Sequence, residues 1–108
     1  MTANECITGR RSIRKFTEQP VSHELIQKIV ETASFAPSWK NTQITRYIAV
    51  EGEAKKALAK CTSIYPGNGA IMEQAPMVIA VTILTGRSGF ERDGSFSTPK
   101  GTGWQMYD

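Results

Sequence analysis

The sequence predicts a fold that mixes helices with a small sheet, and three observations carry this. Apolar residues recur at helical spacing after Ser22, as Leu25, Ile26, Ile29, Val30 and Ala33, with Gln27, Lys28 and Glu31 on the opposite face. A continuous apolar, β-branched run from Met77 to Leu84 has the composition of a strand covered on both faces. Arg46 to Val50, with Tyr47, Ile48 and Val50, reads as a second, shorter strand.

The remaining elements follow in order. Residues 3–9 form a candidate helix with Thr2 or Asn4 as N-cap and Gly9 as its stop. A basic stretch follows, and Pro20 ends it. Ser22 is placed to cap the periodic helix, with Glu24 in its first turn, and Pro37 to terminate it by pushing Ala36 out of helical geometry. Pro37 to Gln43 is a polar loop with one large aromatic, Trp39. Glu53 to Lys60, rich in Ala, Lys and Leu, is a surface helix by propensity. Tyr65 to Gly69 breaks the chain, and Asn68 to Gln74 has room for one or two helical turns before Ala75-Pro76. Gly86 to Gly103 shows no periodicity and reads as a long loop. The stretch Trp104 to Asp108 reads as the start of a helix. Two strands and about three helices leave a sheet with open edges, so its completion is expected from another chain or from further residues of a longer polypeptide.

Composition narrows the function classes. The chain has 108 residues, enough for one small domain, a formal charge of +3 and a pI near 9.0, with 40% hydrophobic and 21% charged residues. This is ordinary globular composition and argues weakly for a nucleic-acid partner. Cys6 and Cys61 lie far apart without metal-ligand spacing, and are expected as free thiols in a reducing cytoplasm. The N-terminus has no apolar signal-like segment, and the longest apolar run is too short to span a bilayer.

The chemistry concentrates in Arg10-Arg11-Ser12-Ile13-Arg14-Lys15-Phe16, where four cations and a serine fall within six residues. An extended chain alternates its side chains, so Arg10, Ser12 and Arg14 point one way and Arg11, Ile13 and Lys15 the other. Two guanidinium forks flanking a hydroxyl match a phosphate or another polar anion. Ile13 and Phe16 are expected to root the segment in a core. A solvated basic patch or a nucleic-acid contact is the competing reading of the same residues. Against a nucleic-acid module, Phe16 is the sole nearby aromatic and there is no stacking array for bases.

The blocks Arg10 to Phe16, then a helix, then Ala36-Pro37-Ser38-Trp39-Lys40-Asn41-Thr42-Gln43, then Ala75-Pro76 leading into an apolar strand, resemble the nitroreductase family of FMN-dependent oxidoreductases in content, order and spacing. The resemblance covers essentially the whole chain, residues 1–108, as the N-terminal part of such a domain. It implies an α+β fold with a mixed or mostly antiparallel sheet flanked by helices, incomplete in this chain. It also implies a cytoplasmic homodimer with FMN at the interface, with no nucleic acid or membrane as partner. By position, Arg10, Arg11 and Ser12 hold the phosphate and ribityl end, and Arg14 approaches the N1/O2 edge of the ring. Pro37, Ser38, Trp39 and Asn41 belong to a loop contributed by the partner subunit, and Asn68 supplies an amide facing the flavin pyrimidine.

The implied activity is a ping-pong hydride transfer from NAD(P)H through flavin N5 to a nitroaromatic, quinone or similar small acceptor. The cofactor carries the reaction, which fits the lack of a visible triad, metal cluster or paired carboxylate; no side chain is assigned as catalytic, and none as a metal ligand. Two departures bear on the pocket. Trp39 stands where the family commonly has a second small residue, and Ile44-Thr45 where it often has Pro-Trp.

Overall fold

A computed structural model describes residues 1–62, 66–101 and 108. The element order is α1 (Ala3–Gly9), α2 (His23–Ala33), β1 (Thr45–Val50), α3 (Gly52–Lys60), α4 (Pro66–Gln74) and β2 (Val78–Ile83). The chain forms two compact units. The first comprises Met1–Pro20 with Glu51–Val78, the second Val21–Val50 with Ile79–Asp108.

In the first unit, α1 starts on a reciprocal cap. The Thr2 hydroxyl accepts from the Glu5 amide, and the Glu5 carboxylate accepts from the Thr2 amide at 2.7 Å. Helices α3 and α4 pack together. The Lys55 ammonium donates to the carbonyls of Glu73 (3.1 Å) and Ala75, so a cation from α3 satisfies the open C-terminus of α4. Ala59 and Ala75 are the buried apolar residues among those described in this unit. Helix α4 begins two residues earlier than the Asn68 start expected from the sequence. Pro66 suits the first helical position, because its fixed φ is already helical and its missing N–H has no partner there in any case. Tyr65 lies outside the described residues.

In the second unit, Ser22 caps α2 by accepting from the Leu25 amide at 3.2 Å. The helix ends at Ala33, short of Pro37. Tighter bonds from the Phe35 amide to the Thr32 carbonyl and from the Ala36 amide to the Ala33 carbonyl then draw the chain off the helical path before the proline. Strands β1 and β2 pair in a two-stranded sheet, and the Leu84 amide donates to the Ile44 carbonyl at 3.0 Å, end against beginning, which makes the pairing antiparallel. Ile26 and Val30 of α2, Tyr47 and Ala49 of β1, and Ile79 of β2 line a groove of about 360 Å³. Leu25 and Ile29, from the same periodic set, stay half exposed.

The burial of β2 differs from the expectation. The run Met77–Leu84 does form a strand, but its faces are not both covered. Val78 to Ala80 are partly buried, whereas Val81 is 62% exposed and Ile83 and Leu84 remain accessible. Burial on both faces needs a layer on each side, and a two-stranded sheet with α2 supplies at most one. The segment after Gly86, expected as a long loop, is a loop that folds on itself. Phe90 and Phe96 form an antiparallel bridge with ring centroids 5.2 Å apart. The Glu91 amide donates to the Ser95 carbonyl (2.8 Å), and the Ser97 amide to the Gly89 carbonyl (2.9 Å). Asp93 accepts from both the amide and the hydroxyl of Ser95, and Gly94 takes the left-handed φ of +86° that the turn requires.

These burials separate two positions of β2. Ile79→Asp puts a carboxylate against the Ile26/Val30 face and is expected to lower the stability by roughly 1–3 kcal/mol. Val81→Asp is expected to change it little. Denaturant titration of both variants checks this, and equal losses would mean that α2 does not cover the strand.

Candidate functional site

The basic segment belongs to the first unit and follows α1 directly. Arg10 leaves the helix with φ −59° and ψ 135°, and residues 10–16 carry no helical or strand pairing. In this irregular stretch the Arg10 Nη1 donates to the Ser12 hydroxyl at 3.4 Å and the Arg14 Nη1 to the Ser12 carbonyl at 3.3 Å. The Arg11 Nη1 donates to the carbonyls of Thr8 (3.0 Å) and Arg10 (2.9 Å) and closes the C-terminal end of α1. Each of the three arginines is anchored through its Nη1, which leaves the Nε–Nη2 edge of its fork available to an anion. The anticipated apolar root is absent, since Ile13 is 65% and Phe16 43% exposed. The small core of the first unit lies between α3 and α4 and does not reach them. Asn68 is exposed in the first turn of α4 and shares no hydrogen bond with the arginines.

The loop after α2 builds the second unit's site. Pro37, Ser38 and Asn41 line a cavity of about 440 Å³ together with Gln43, Arg46 and Asp108. Trp39 does not line it and lies instead beside the Lys40 ammonium, 5.1 Å from its ring centroid. Two non-glycine residues of the loop are left-handed, Asn41 at φ 52° and Gln43 at φ 53°. Such conformations persist where neighbouring bonds over-determine them. Here the bonds are explicit. The Asn41 amide donates to the Ser38 hydroxyl (3.0 Å), the Lys40 amide to the Asp108 Oδ1 (3.0 Å), and the Thr42 amide to both Asp108 oxygens (3.3 Å each), with the Thr42 hydroxyl donating to Asp108 as well. Ile44, which closes the loop at one of the positions that depart from the family pattern, is fully buried. The Arg46 Nη1 spans the carbonyls of Gln43 and Thr45, which holds that cation at the cavity wall.

Asp108 is the anchor of this loop. Partial burial works to raise its carboxyl, but the Thr42 hydroxyl, the Lys40 and Thr42 amides and the Ser38 hydroxyl together hold it well below the ordinary carboxylate range. Its folded pKa is thus depressed relative to the unfolded chain. Its stabilising contribution is complete above the unfolded value near 3.8 and is lost as the pH falls through the lower folded value. The stability difference between the parent and Asp108→Ala is therefore expected to be largest at neutral pH and to shrink toward pH 2. Paired denaturation curves at pH 7 and pH 2.5 check the sign.

Lys40, Gln43, Arg46 and Asp108 were not singled out from the sequence. The Pro37–Gln43 block pointed to the neighbourhood of the first three. Nothing local points to Asp108, which reaches the loop from 66 residues away along the chain.

The antiparallel strand pair and the four helices of the described residues make this an α+β chain. The model of the Nitroreductase family matches residues 7–65, more than half the sequence, and the chain belongs to the nitroreductase family. Among relatives, YfhC of Bacillus subtilis, provisionally named an NAD(P)H nitroreductase, is 43% identical over 53 residues, 49% of this chain and 27% of that protein. A crystal structure of a nitroreductase family protein from Clostridium novyi NT superimposes with a TM-score of 0.69 at 26% identity, over 94% of this chain and 55% of that one. A provisionally named nitroreductase of Desulfovibrio desulfuricans, crystallised in complex with FMN, gives a TM-score of 0.63 at 28% identity, over 87% of this chain and 49% of that one. The chain thus spans about half the length of these structures, and its match to YfhC covers about a quarter of that relative.

Proposed function

We propose that this chain is the N-terminal part of an FMN-dependent NAD(P)H oxidoreductase that acts as a cytoplasmic homodimer on small-molecule acceptors. The convergence of Arg10 and Arg14 on Ser12 carries the reading, because it presents two free guanidinium edges beside a hydroxyl on an irregular segment. That donor set fits a phosphate monoester better than a base edge or a sugar. Arg10, Arg11 and Ser12 would hold the FMN phosphate and ribityl end, and Arg14 would lie toward the N1/O2 edge of the ring. Ser38 and Asn41, with Pro37 and Trp39 shaping the loop, would meet the flavin of the partner subunit, and Asn68 would supply an amide to its pyrimidine. When bound, FMN supplies the redox chemistry, accepting a hydride from NAD(P)H at N5 and passing it to a nitroaromatic, quinone or similar acceptor in a ping-pong cycle.

Among the described residues, the side chains assigned to the site form a binding constellation with no acid–base pair. Their roles are to bind, to orient and to neutralise charge. The homodimer is supported by the apolar surface that this chain leaves uncovered, including Leu25 and Ile29 on α2 and Val81 on β2. Purification of the full-length protein tests the reading. The expected result is a yellow dimer by light scattering that releases FMN on denaturation and oxidises NAD(P)H when an acceptor is added. A colourless protein with no affinity for added FMN and strongly salt-dependent oligonucleotide binding would overturn it in favour of a nucleic-acid contact.

A further inference from the structure

Lys40 makes contacts in two directions. Its backbone amide is bonded to Asp108, while its ammonium lies 2.7 Å from the Glu91 Oε1 and 2.9 Å from the Ser97 hydroxyl. Glu91 follows Phe90 on the turn side of the bridge and Ser97 follows Phe96 on its outer side, on the segment tied by the Glu91–Ser95 and Gly89–Ser97 backbone bonds. The partner of Lys40 is therefore a folded platform rather than a loose loop. The next residue in the chain is Asn41, left-handed and lining the cavity, and Gln43 beyond Thr42 is left-handed too. A strained pair of residues is thus held through Asp108 on the main chain and through Lys40 on the side chain. Because the Lys40 ammonium and the Ser97 hydroxyl donate to it, the Glu91 carboxyl sits below the ordinary glutamate range, so the tie is charged at neutral pH.

We propose that Lys40, clasped by Glu91 and Ser97, is a positioning residue that holds the Ser38–Gln43 loop in its binding-ready form, so that the 90–97 hairpin sets the flavin affinity of the cavity lined by Ser38 and Asn41. The proposal rests on the FMN reading above. It adds a role for residues that do not themselves touch the ligand, and it gives the hairpin a function. A partly exposed ion pair contributes little to global stability, so the effect is local: flavin affinity falls while the melting temperature stays.

The test uses the full-length protein with Lys40→Glu, Glu91→Lys, the double reversal Lys40→Glu/Glu91→Lys, and the milder Ser97→Ala. Two quantities are read: FMN affinity by flavin fluorescence titration, and amide hydrogen exchange at residues 40–42 without flavin. Either charge change alone is expected to weaken FMN binding about three- to tenfold and to speed exchange at Lys40, Asn41 and Thr42 by a similar factor, with the melting temperature unchanged. The double reversal should recover most of both, and Ser97→Ala should show a smaller shift in the same direction. Unchanged exchange in the single variants, or no recovery in the double, would overturn the clasp while the FMN reading stands on the parent's own titration. A parent that binds no FMN would overturn the functional reading and this inference with it.

Discussion

On the proposed FMN reading, Arg10→Ala and Arg14→Ala are each expected to weaken FMN binding about ten- to a hundredfold, and Lys15→Ala to change it little. The size follows from the type of bond. A hydrogen bond to a charged group is worth roughly 1.5–3 kcal/mol, and each 1.4 kcal/mol is a factor of ten in affinity. The selectivity follows from geometry. Arg10 and Arg14 both reach Ser12, through its hydroxyl and its carbonyl, while Arg11 bonds the carbonyl end of α1 through its Nη1. Removing Arg11 is therefore expected to loosen the exit from the helix as well as to weaken flavin binding. The fold should survive the loss of Arg10 or Arg14, since both side chains are exposed and neither packs in a core. Flavin titration of the single variants in the full-length protein decides this. Equal small losses for Arg10, Arg14 and Lys15 would indicate diffuse electrostatic attraction and sink the phosphate-site assignment.

The features that local chemistry controls were legible in the sequence. Thr2 and Ser22 cap the helices where hydroxyl side chains precede periodic segments, and β1 and β2 lie within a residue or so of the Arg46–Val50 and Met77–Leu84 runs. The irregular stretch that carries Arg10, Ser12 and Arg14 between α1 and α2 was legible too. Features that depend on what a segment meets were not. Nothing within Met77–Leu84 says that its second half stays exposed, since apolar residues bury only where a covering layer exists. The hairpin after Gly86 is closed by two phenylalanines six residues apart and by Asp93 folding over Ser95, in a stretch without helical or strand period. Asp108 shows the limit most clearly. It holds Lys40 and Thr42 across a sequence separation that no local pattern spans. Gln43 and Asn41, by contrast, were in the block that the family resemblance marked, and what the sequence hid was their left-handed backbone and the bonds that impose it.

Gly69→Val is expected to destabilise the first unit by about 3 kcal/mol, the upper end of what overpacking a close contact costs. A Cβ at Gly69 would stand 2.9 Å from the Ala59 carbonyl oxygen and 3.1 Å from the Thr62 hydroxyl. The hydroxyl is the tip of a short side chain and has some room to turn. The carbonyl is backbone, is already committed to the Thr62 hydroxyl at 2.7 Å, and belongs to the buried Ala59 at the contact between α3 and α4. The two helices must separate to admit the methyl groups, and separation also stretches the Lys55 bonds that close α4. Gly69→Ala is expected to lose less, because the smaller clash is partly offset by the gain of roughly 0.5–1 kcal/mol that alanine brings to a helix interior. Gly67, two positions earlier in the same helix, has nothing within 4 Å of its added Cβ. Gly67→Ala should therefore be neutral or slightly stabilising, up to the same 0.5–1 kcal/mol. Denaturant midpoints for the three variants measure the order, with Gly67→Ala at or above the parent, Gly69→Ala below it and Gly69→Val lowest. A Gly69→Val variant as stable as Gly67→Ala would show that α3 and α4 do not pack through this glycine.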